Sequence, residues 1–278
     1  SKDCDLTSQR ETISYFKNEK PNAIIHLAAR VGGIKDNIEN QALFYYQNTM
    51  MNTNVLHAAH LAGVPRILSS LSTCAFPDKM WRYPFEEEDL FSGSPTETNF
   101  SYAISKRSLH AQSMAYRKQY DLNYSTFCPS NIYGPGDHFG QEASHFIAAL
   151  VHKVALSQDG DTVNLWGTGL PLRQQLYIED LCEIIPILLD EHNSAVPLIV
   201  APSENLTILE MARTLVKQSG KDITLSFDGS EATNGQFRKD GSNKKLLEIL
   251  GKYNFTSFKQ GVKMTYDWYI ENGVLNVD

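Results

Sequence analysis

Two short apolar runs, Ala-Ile-Ile-His-Leu-Ala-Ala at Ala23–Ala29 and Arg-Ile-Leu-Ser-Ser at Arg66–Ser70, flank a long stretch from Gln41 to Ala62. Ala23–Leu27 and Arg66–Ser70 have the length and aliphatic content of buried strands, and Lys20-Pro21-Asn22 punctuates the first with a turn. Between them Leu43, Phe44, Gln47, Met51, Val55 and Ala58 recur near helical spacing, and Gly63 supplies a stop. Further along, Tyr102–Gln119 reads as a second long helix and Tyr124–Pro129 as a third strand. Strand, helix, strand, helix, strand is the rhythm of a parallel α/β sheet. Right-handed crossovers put Leu27–Ala29, Ser70–Cys74 and Pro129–Tyr133 along one edge, where such sheets bind ligands.

After Gly134-Pro135-Gly136 the rhythm breaks. Ser144–Ser157 reads as helix, Val163–Trp166 as a short strand and Trp166-Gly167-Thr168-Gly169 as a turn. Gln174–Tyr177 leads into a helix to about Asp190, and Val196–Val200 returns as a sheet strand. Helices near Thr207–Ser219, Asn243–Leu250 and Ser257–Asn272 complete a smaller α+β region interleaved with the first.

Composition excludes several classes. Of 278 residues, 42% are hydrophobic and 21% charged, an ordinary globular mixture with room for about two domains. The net charge of −7 disfavours a nucleic-acid partner. The most apolar run, Ile184–Leu189, is far short of the roughly 20 residues that span a bilayer, so neither a membrane helix nor a signal peptide is expected. Cys4, Cys74, Cys128 and Cys182 lie far apart, so reduced thiols and a cytoplasmic protein without a metal cluster are expected. His57 and His60 form an HxxH pair that lacks the glutamate of a zinc-protease motif and is read as decorating a helix face.

Chemistry concentrates around Tyr102-x-x-x-Lys106, whose spacing puts both side chains on one helix face. The lysine cation is expected to lower the tyrosine pKa, so that the phenol exchanges a proton with a carbonyl oxygen near neutral pH. Ser72, just past a strand end, supplies a second donor to that oxygen. Glycines spaced to cradle a dinucleotide pyrophosphate are absent; only Val31-Gly32-Gly33 is glycine-rich nearby. Either this is no dinucleotide enzyme, or the first βα unit is missing from the chain as given.

The order Leu27-Ala28-Ala29, strand-end Ser72, Tyr102-x-x-x-Lys106 and Asn131-x-Tyr133-Gly134-Pro135 resembles the extended short-chain dehydrogenase/reductases. Ser72-Thr73-Cys74-Ala75-Phe76-Pro77-Asp78-Lys79 is more closely similar to the signature of the GDP-L-fucose synthase family. So are Val31-Gly32-Gly33-Ile34, Trp166-Gly167-Thr168-Gly169-x-Pro171-x-Arg173 and Gly235-Gln236-Phe237-x-Lys239, and the similarity runs from Asp5 to near Trp268.

That resemblance implies a Rossmann-type, doubly wound parallel sheet with a smaller α+β substrate domain. Residues 1–133 and 174–203 would bind NADP(H), and 134–173 and 204–278 the nucleotide sugar. The implied reaction converts GDP-4-keto-6-deoxy-D-mannose to GDP-L-fucose by epimerising C3 and C5 and then reducing C4. Ser72 and Tyr102 would hold the C4 oxygen, Cys74 act as base, His145 as acid, and Lys106 tune Tyr102 and hold the cofactor ribose. Cofactor contacts would come from Asp5 and Leu6 near the adenine and from Leu27, Ala28, Ala29 and Asn48. Ser70, Leu71, Ser72, Thr73, Tyr102, Lys106, His145 and Pro129-Ser130-Asn131-Ile132 complete that set. Lys153, Trp166, Arg173, Asn234 and Lys239 would face the GDP-sugar, Asn234 standing where the family usually has aspartate. Relatives dimerise through two long helices, here those near 41–62 and 102–119. The competing readings are another nucleotide-sugar epimerase or dehydratase, which has no need of Cys74 with His145, and a non-catalytic binding subunit.

Overall fold

The computed structural model of the chain describes residues 3–140 and 144–272, so the domain limits drawn to 1 and 278 extend outside the described residues. Helix α1 (Gln9–Glu19) leads to β1 (Ile24–His26), α2 (Ile34–Glu39), α3 (Gln41–Leu61) and β2 (Arg66–Ser70). Next come α4 (Phe100–Tyr120), β3 (Asn123–Pro129), β4 (Asn131–Tyr133), α5 (Phe146–Leu156), β5 (Thr162–Leu165), β6 (Leu172–Arg173) and β7 (Gln175–Tyr177). The chain continues through α6 (Ile178–Glu191), β8 (Leu198–Val200), β9 (Leu206–Thr207), α7 (Ile208–Ser219), β10 (Thr224–Phe227), β11 (Arg238–Lys239), α8 (Lys244–Leu250) and α9 (Phe258–Glu271).

The main sheet has the order β1-β2-β3-β8, every pair parallel, with His26 opposite Ser69, Phe127 opposite both Ser70 and Leu198, and Pro129 opposite Val200. Strand residues alternate faces, and both faces are covered. Ile67, Tyr124, Cys128 and Ile199 pack with Val55 and Leu56 of α3 and Leu109 of α4. Their neighbours Leu68, Phe127, Leu198 and Val200 pack with Ile184 and Leu188 of α6 and Leu246 of α8. This is the doubly wound arrangement, and it accounts for most of the apolar run Ile184–Leu189: Ile184, Ile185 and Leu188 lie on the buried face of α6, while Pro186 and Ile187 are exposed. Among the described residues β1 ends the sheet, with Ile25 41% exposed.

A third core joins α5, α7 and α9 to β5, and draws in Tyr133 and Tyr177. Smaller sheets surround it: β4 pairs with β7, β5 with β10, and β6 lies between β11 and β9. Tyr133 is thus a core aromatic. Its ring packs against Tyr177 and Phe258, and a Cβ at Gly261 would lie 2.1 Å from its hydroxyl, so only glycine lets α9 approach this closely.

Helix α4 begins at Phe100, ahead of the expected Tyr102, because a 3₁₀ turn at Glu97–Asn99 runs directly into it. His57 and His60 face α4: His57 Nδ1 lies 2.8 Å from the Tyr116 hydroxyl, and His60 stacks on Tyr120 at 4.0 Å. No helix among the described residues is long and apolar enough to cross a membrane.

Candidate active site

The carboxyl ends of β2 and β3 and the first turn of α4 meet at one edge of the main sheet. Just past β2, the Ser72 hydroxyl accepts the backbone N–H of Cys74 at 3.2 Å, closing a 3₁₀ turn over Thr73–Ala75. Two side chains secure that turn from outside. Arg107 Nε of α4 donates to the Ala75 carbonyl at 2.6 Å, and Gln236 Nε2 donates to the carbonyls of Pro77 and Asp78 at 3.0 and 2.9 Å.

Cys74 is ringed by protein yet still half open to solvent. Lys239 Nζ, carried by β11, donates to its Sγ at 2.9 Å. Burial pushes the thiol pKa up, but the Lys239 charge and hydrogen bond, the Ser72 hydroxyl and the Arg173 charge more than offset it, and the net shift is downward. Arg173 pairs with Lys239 across the β6–β11 ladder and also donates to the carbonyls of Leu172 and Asn234 at 2.8 and 3.3 Å. Burial lowers its own pKa to about 10.

Tyr102 behaves oppositely. Burial raises its pKa well above the ordinary phenol value, the Cys74 charge adds to this, and the Ser72 side chain, within hydrogen-bonding reach, pulls weakly the other way. Lys106 does not counter it. Its Nζ donates to the Ser70 carbonyl at 2.8 Å, sits 5.8 Å from the Tyr102 ring centroid, and is lowered by burial to about 8. The expectation that Lys106 turns Tyr102 toward phenolate is therefore corrected: the phenol keeps its proton through the neutral range and is built to donate.

Residues 2–200 match the NAD dependent epimerase/dehydratase family. A probable GDP-L-fucose synthase of Drosophila melanogaster is 36% identical, the alignment covering 98% of this chain and 87% of that protein. The GDP-L-fucose synthase of Dictyostelium discoideum is 37% identical, covering 98% and 85%. A GDP-L-fucose synthetase of Naegleria fowleri, solved with NADP bound, superposes with a TM-score of 0.90 at 34% identity, covering 98% of this chain and 83% of that one. The chain belongs to the GDP-L-fucose synthase family.

Several residues expected to meet the cofactor lie just past the ends of β1 and β3. Leu27, past the end of β1, is 53% exposed, with Ala28 and Ala29 half-buried beside it. Ser130 Oγ, at the end of β3, is buried and has no protein partner, a donor left for a ligand at the position where family resemblance puts the nicotinamide. Pro129 is buried, Asn131 half-buried and Ile132 36% exposed alongside. These features and the Lys106 ammonium fit a dinucleotide. Other expected contacts have local jobs. Asn48 spends its amide on Arg30, accepting the backbone N–H at 2.9 Å and donating to the carbonyl at 3.1 Å. Leu71 and Thr73 are buried in the framework, and the Ser70 carbonyl is taken by Lys106. The Asp5 carboxylate accepts from the Thr7 hydroxyl and N–H, which lowers its pKa, and the Leu6 carbonyl accepts from Asn54.

At the sugar-nucleotide end, Arg173, Asn234 and Lys239 cluster with Cys74. Asn234 Oδ1 accepts the Thr168 N–H at 2.9 Å and the Thr168 hydroxyl at 3.1 Å, so this amide braces the Trp166–Gly169 turn. Lys153 donates to the Asn164 carbonyl at 2.9 Å, near Trp166, which is 75% exposed. His145 caps α5 by position, is exposed, and hydrogen-bonds none of the described side chains; the nearby Asp137 carboxyl is raised by burial and pulled back partly by His145 and His138. The structure thus joins Ser72, Cys74, Tyr102 and Lys106 with Arg173, Asn234 and Lys239, and leaves His145, Lys153 and Trp166 outside direct contact with them.

Sequence reasoning missed the Lys239–Cys74 contact, the Arg107 clamp and a buried relay. In that relay His26 Nε2 lies 3.0 Å from Asn52 Oδ1, and Asn52 Nδ2 donates to the Ser105 carbonyl at 3.3 Å. A histidine inside an apolar strand was the one available signal for the relay.

Proposed function

We propose that the chain converts GDP-4-keto-6-deoxy-D-mannose to GDP-L-fucose with NADPH, inverting C3 and C5 and then reducing C4. The observation that carries this reading is the pairing of opposite proton preferences in neighbouring groups: Cys74 held toward thiolate by the Lys239 contact and Tyr102 held protonated. A C3 or C5 proton is acidic because the neighbouring C4 ketone can take up the electron pair as an enolate. Cys74 removes that proton, while the Tyr102 phenol and Ser72 hydroxyl hydrogen-bond the developing oxyanion. His145 returns a proton to the opposite face of the same carbon, completing each inversion.

NADPH, when bound, supplies hydride to C4. Tyr102 gives its proton to the C4 oxygen, so a ketone becomes an alcohol with charge balanced. Lys106, Ser130 and the Leu27–Ala29 edge would hold the cofactor, joined by Asp5, Leu6, Asn48, Ser70, Leu71, Thr73, Pro129, Asn131 and Ile132. The GDP-sugar would lie against Lys153, Trp166, Arg173, Asn234 and Lys239, where local cations suit a diphosphate despite the net negative charge. On this reading residues 1–133 with 174–203 form the cofactor domain and the remainder the sugar-nucleotide domain.

A homodimer through α3 and α4 belongs to the same proposal. The two helices pack on each other and leave Leu43, Tyr46, Leu61, Met114 and Tyr120 exposed, apolar surface suited to a second copy. A thiol base calls for a reducing compartment, which supports a cytoplasmic setting. The test is NADPH oxidation with GDP-4-keto-6-deoxy-D-mannose. GDP-L-fucose must form, and Cys74→Ser must lose solvent-deuterium incorporation at C3 and C5. Folded protein that oxidises no NADPH with this substrate sinks the proposal.

A further inference from the structure

Lys239 matches a family position associated with the GDP end of the substrate, yet here its ammonium is spent on sulfur. The contact is short, 2.9 Å from Nζ to Cys74 Sγ, and the backbone that delivers it is fixed on both sides. Three residues earlier, Gln236 is tied to the carbonyls of Pro77 and Asp78, in the loop that also carries Cys74. One residue later, the Asp240 carbonyl accepts the Phe85 N–H at 3.0 Å, and the Asp240 carboxylate takes Arg238 through two hydrogen bonds of 2.6 and 3.0 Å. Lys239 itself lies in register with Arg173.

The groups that act on Cys74 come from four other elements. They are the Ser72 hydroxyl past β2, the Tyr102 phenol on α4, the Cys128 thiol on β3 and the Arg173 guanidinium on β6. Tyr102 and Cys128 are neutral, since burial holds both well above their ordinary values. Of the two cations, Arg173 is turned to backbone carbonyls, and Lys239 touches the sulfur. An ammonium in hydrogen-bond contact stabilises a thiolate far more than a thiol, because only the thiolate offers a full charge to pair.

We infer that Lys239 is a positioning residue for Cys74, holding its sulfur as a thiolate beside Ser72 and Tyr102 before any substrate arrives. The inference rests on the proposed function for Cys74's role as base, but the ion pair itself belongs to the free protein. It is tested there, without substrate, by the pH dependence of iodoacetamide alkylation at Cys74. Peptide mass mapping separates Cys74 from Cys4, Cys128 and Cys182, and Cys74→Ser sets the blank.

Wild type should alkylate with a midpoint below the free-thiol value of about 8.5. Lys239→Met and Lys239→Gln should both move the midpoint upward and slow alkylation at pH 7 about tenfold, the change a one-unit shift produces. Lys239→Arg should restore most of the rate. A wild-type midpoint at or above the free-thiol value overturns the inference without any variant. So do folded Lys239→Met and Lys239→Gln proteins that keep the wild-type profile. Wild-type protein that shows the lowered Cys74 midpoint but no sugar-nucleotide turnover would instead count against the proposed function and leave the ion pair standing.

Discussion

Lys106 is anchored to Ser70, its Nζ donating to the backbone carbonyl at 2.8 Å, so the cation of the Tyr-x-x-x-Lys pair is fixed to the end of β2. Burial lowers this ammonium to about 8, so most of its charge is present at pH 7 and fades as pH rises through about 8. The KM for NADPH should therefore climb between pH 7.5 and 9. Lys106→Met should raise that KM at pH 7 and lower kcat by about 10²-fold or more. Arginine should rescue poorly, because its planar fork does not reproduce a single ammonium contact to one carbonyl. A KM that stays flat across this range would show that the ammonium has no part in cofactor binding.

Tyr102 is expected to serve as acid over the whole neutral range. Tyr102→Phe should lower the rate of C4 reduction by about 10²–10⁴-fold. Ser72→Ala should cost about 10²–10³-fold, since it removes a donor to the same oxygen and also the acceptor for the Cys74 N–H. Single-turnover NADPH oxidation, followed beside deuterium exchange at C3 and C5, reads both. Unchanged exchange in Ser72→Ala would mean that Ser72 takes no part in enolate stabilisation.

Three buried histidines should make the fold acid-sensitive. His26, His110 and His192 are each lowered to about 4 by burial, His110 and His192 meeting the hydroxyl and carbonyl of Thr126 at 2.8 and 3.1 Å. Between pH 6.5 and 4 the unfolded chain binds protons that the folded chain refuses, so stability falls as pH drops through that window. With three such groups the slope approaches about 4 kcal/mol per pH unit. Urea titrations at pH 7, 6, 5 and 4.5 should show the midpoint collapsing, and His110→Gln should flatten the dependence.

Gly261→Ala should destabilise the protein by about 1–3 kcal/mol, because the new methyl meets the Tyr133 hydroxyl and ring in a filled core. Gly261→Ala combined with Tyr133→Phe should recover part of the loss, since the atom nearest the new methyl is gone. Thermal denaturation of the two proteins decides it.

Asn234→Asp should leave thermal stability within about 0.5 kcal/mol, as a carboxylate accepts both Thr168 donors equally well. Asn234→Ala should cost about 1–2 kcal/mol by leaving those donors unpaired. The aspartate variant should alter the KM for the GDP-sugar more than kcat, since the new charge lies close to Arg173.

Much of the fold was legible because strand and helix periods are strong signals. Ile67 and Leu68 look alike as letters, and a parallel strand covered on both faces needs that continuous apolarity. The Ser72, Tyr102 and Lys106 trio could be found because a helix fixes i, i+4 neighbours and a crossover fixes strand ends. Lys239 beside Cys74 could not, because 165 residues and the eight strands β3 to β10 separate them, and no local spacing encodes that meeting. The Tyr102 proton preference was misread for a related reason. Adjacency of a lysine on the helix says nothing about the carbonyl that the lysine prefers or about the burial of both groups.

The Gln236 clamp bears on motion. It staples the loop after Cys74 to the segment that leads into Lys239. Sulfur and ammonium thus ride on two segments stapled to each other, and any displacement that keeps the Gln236 contacts intact leaves their separation unchanged.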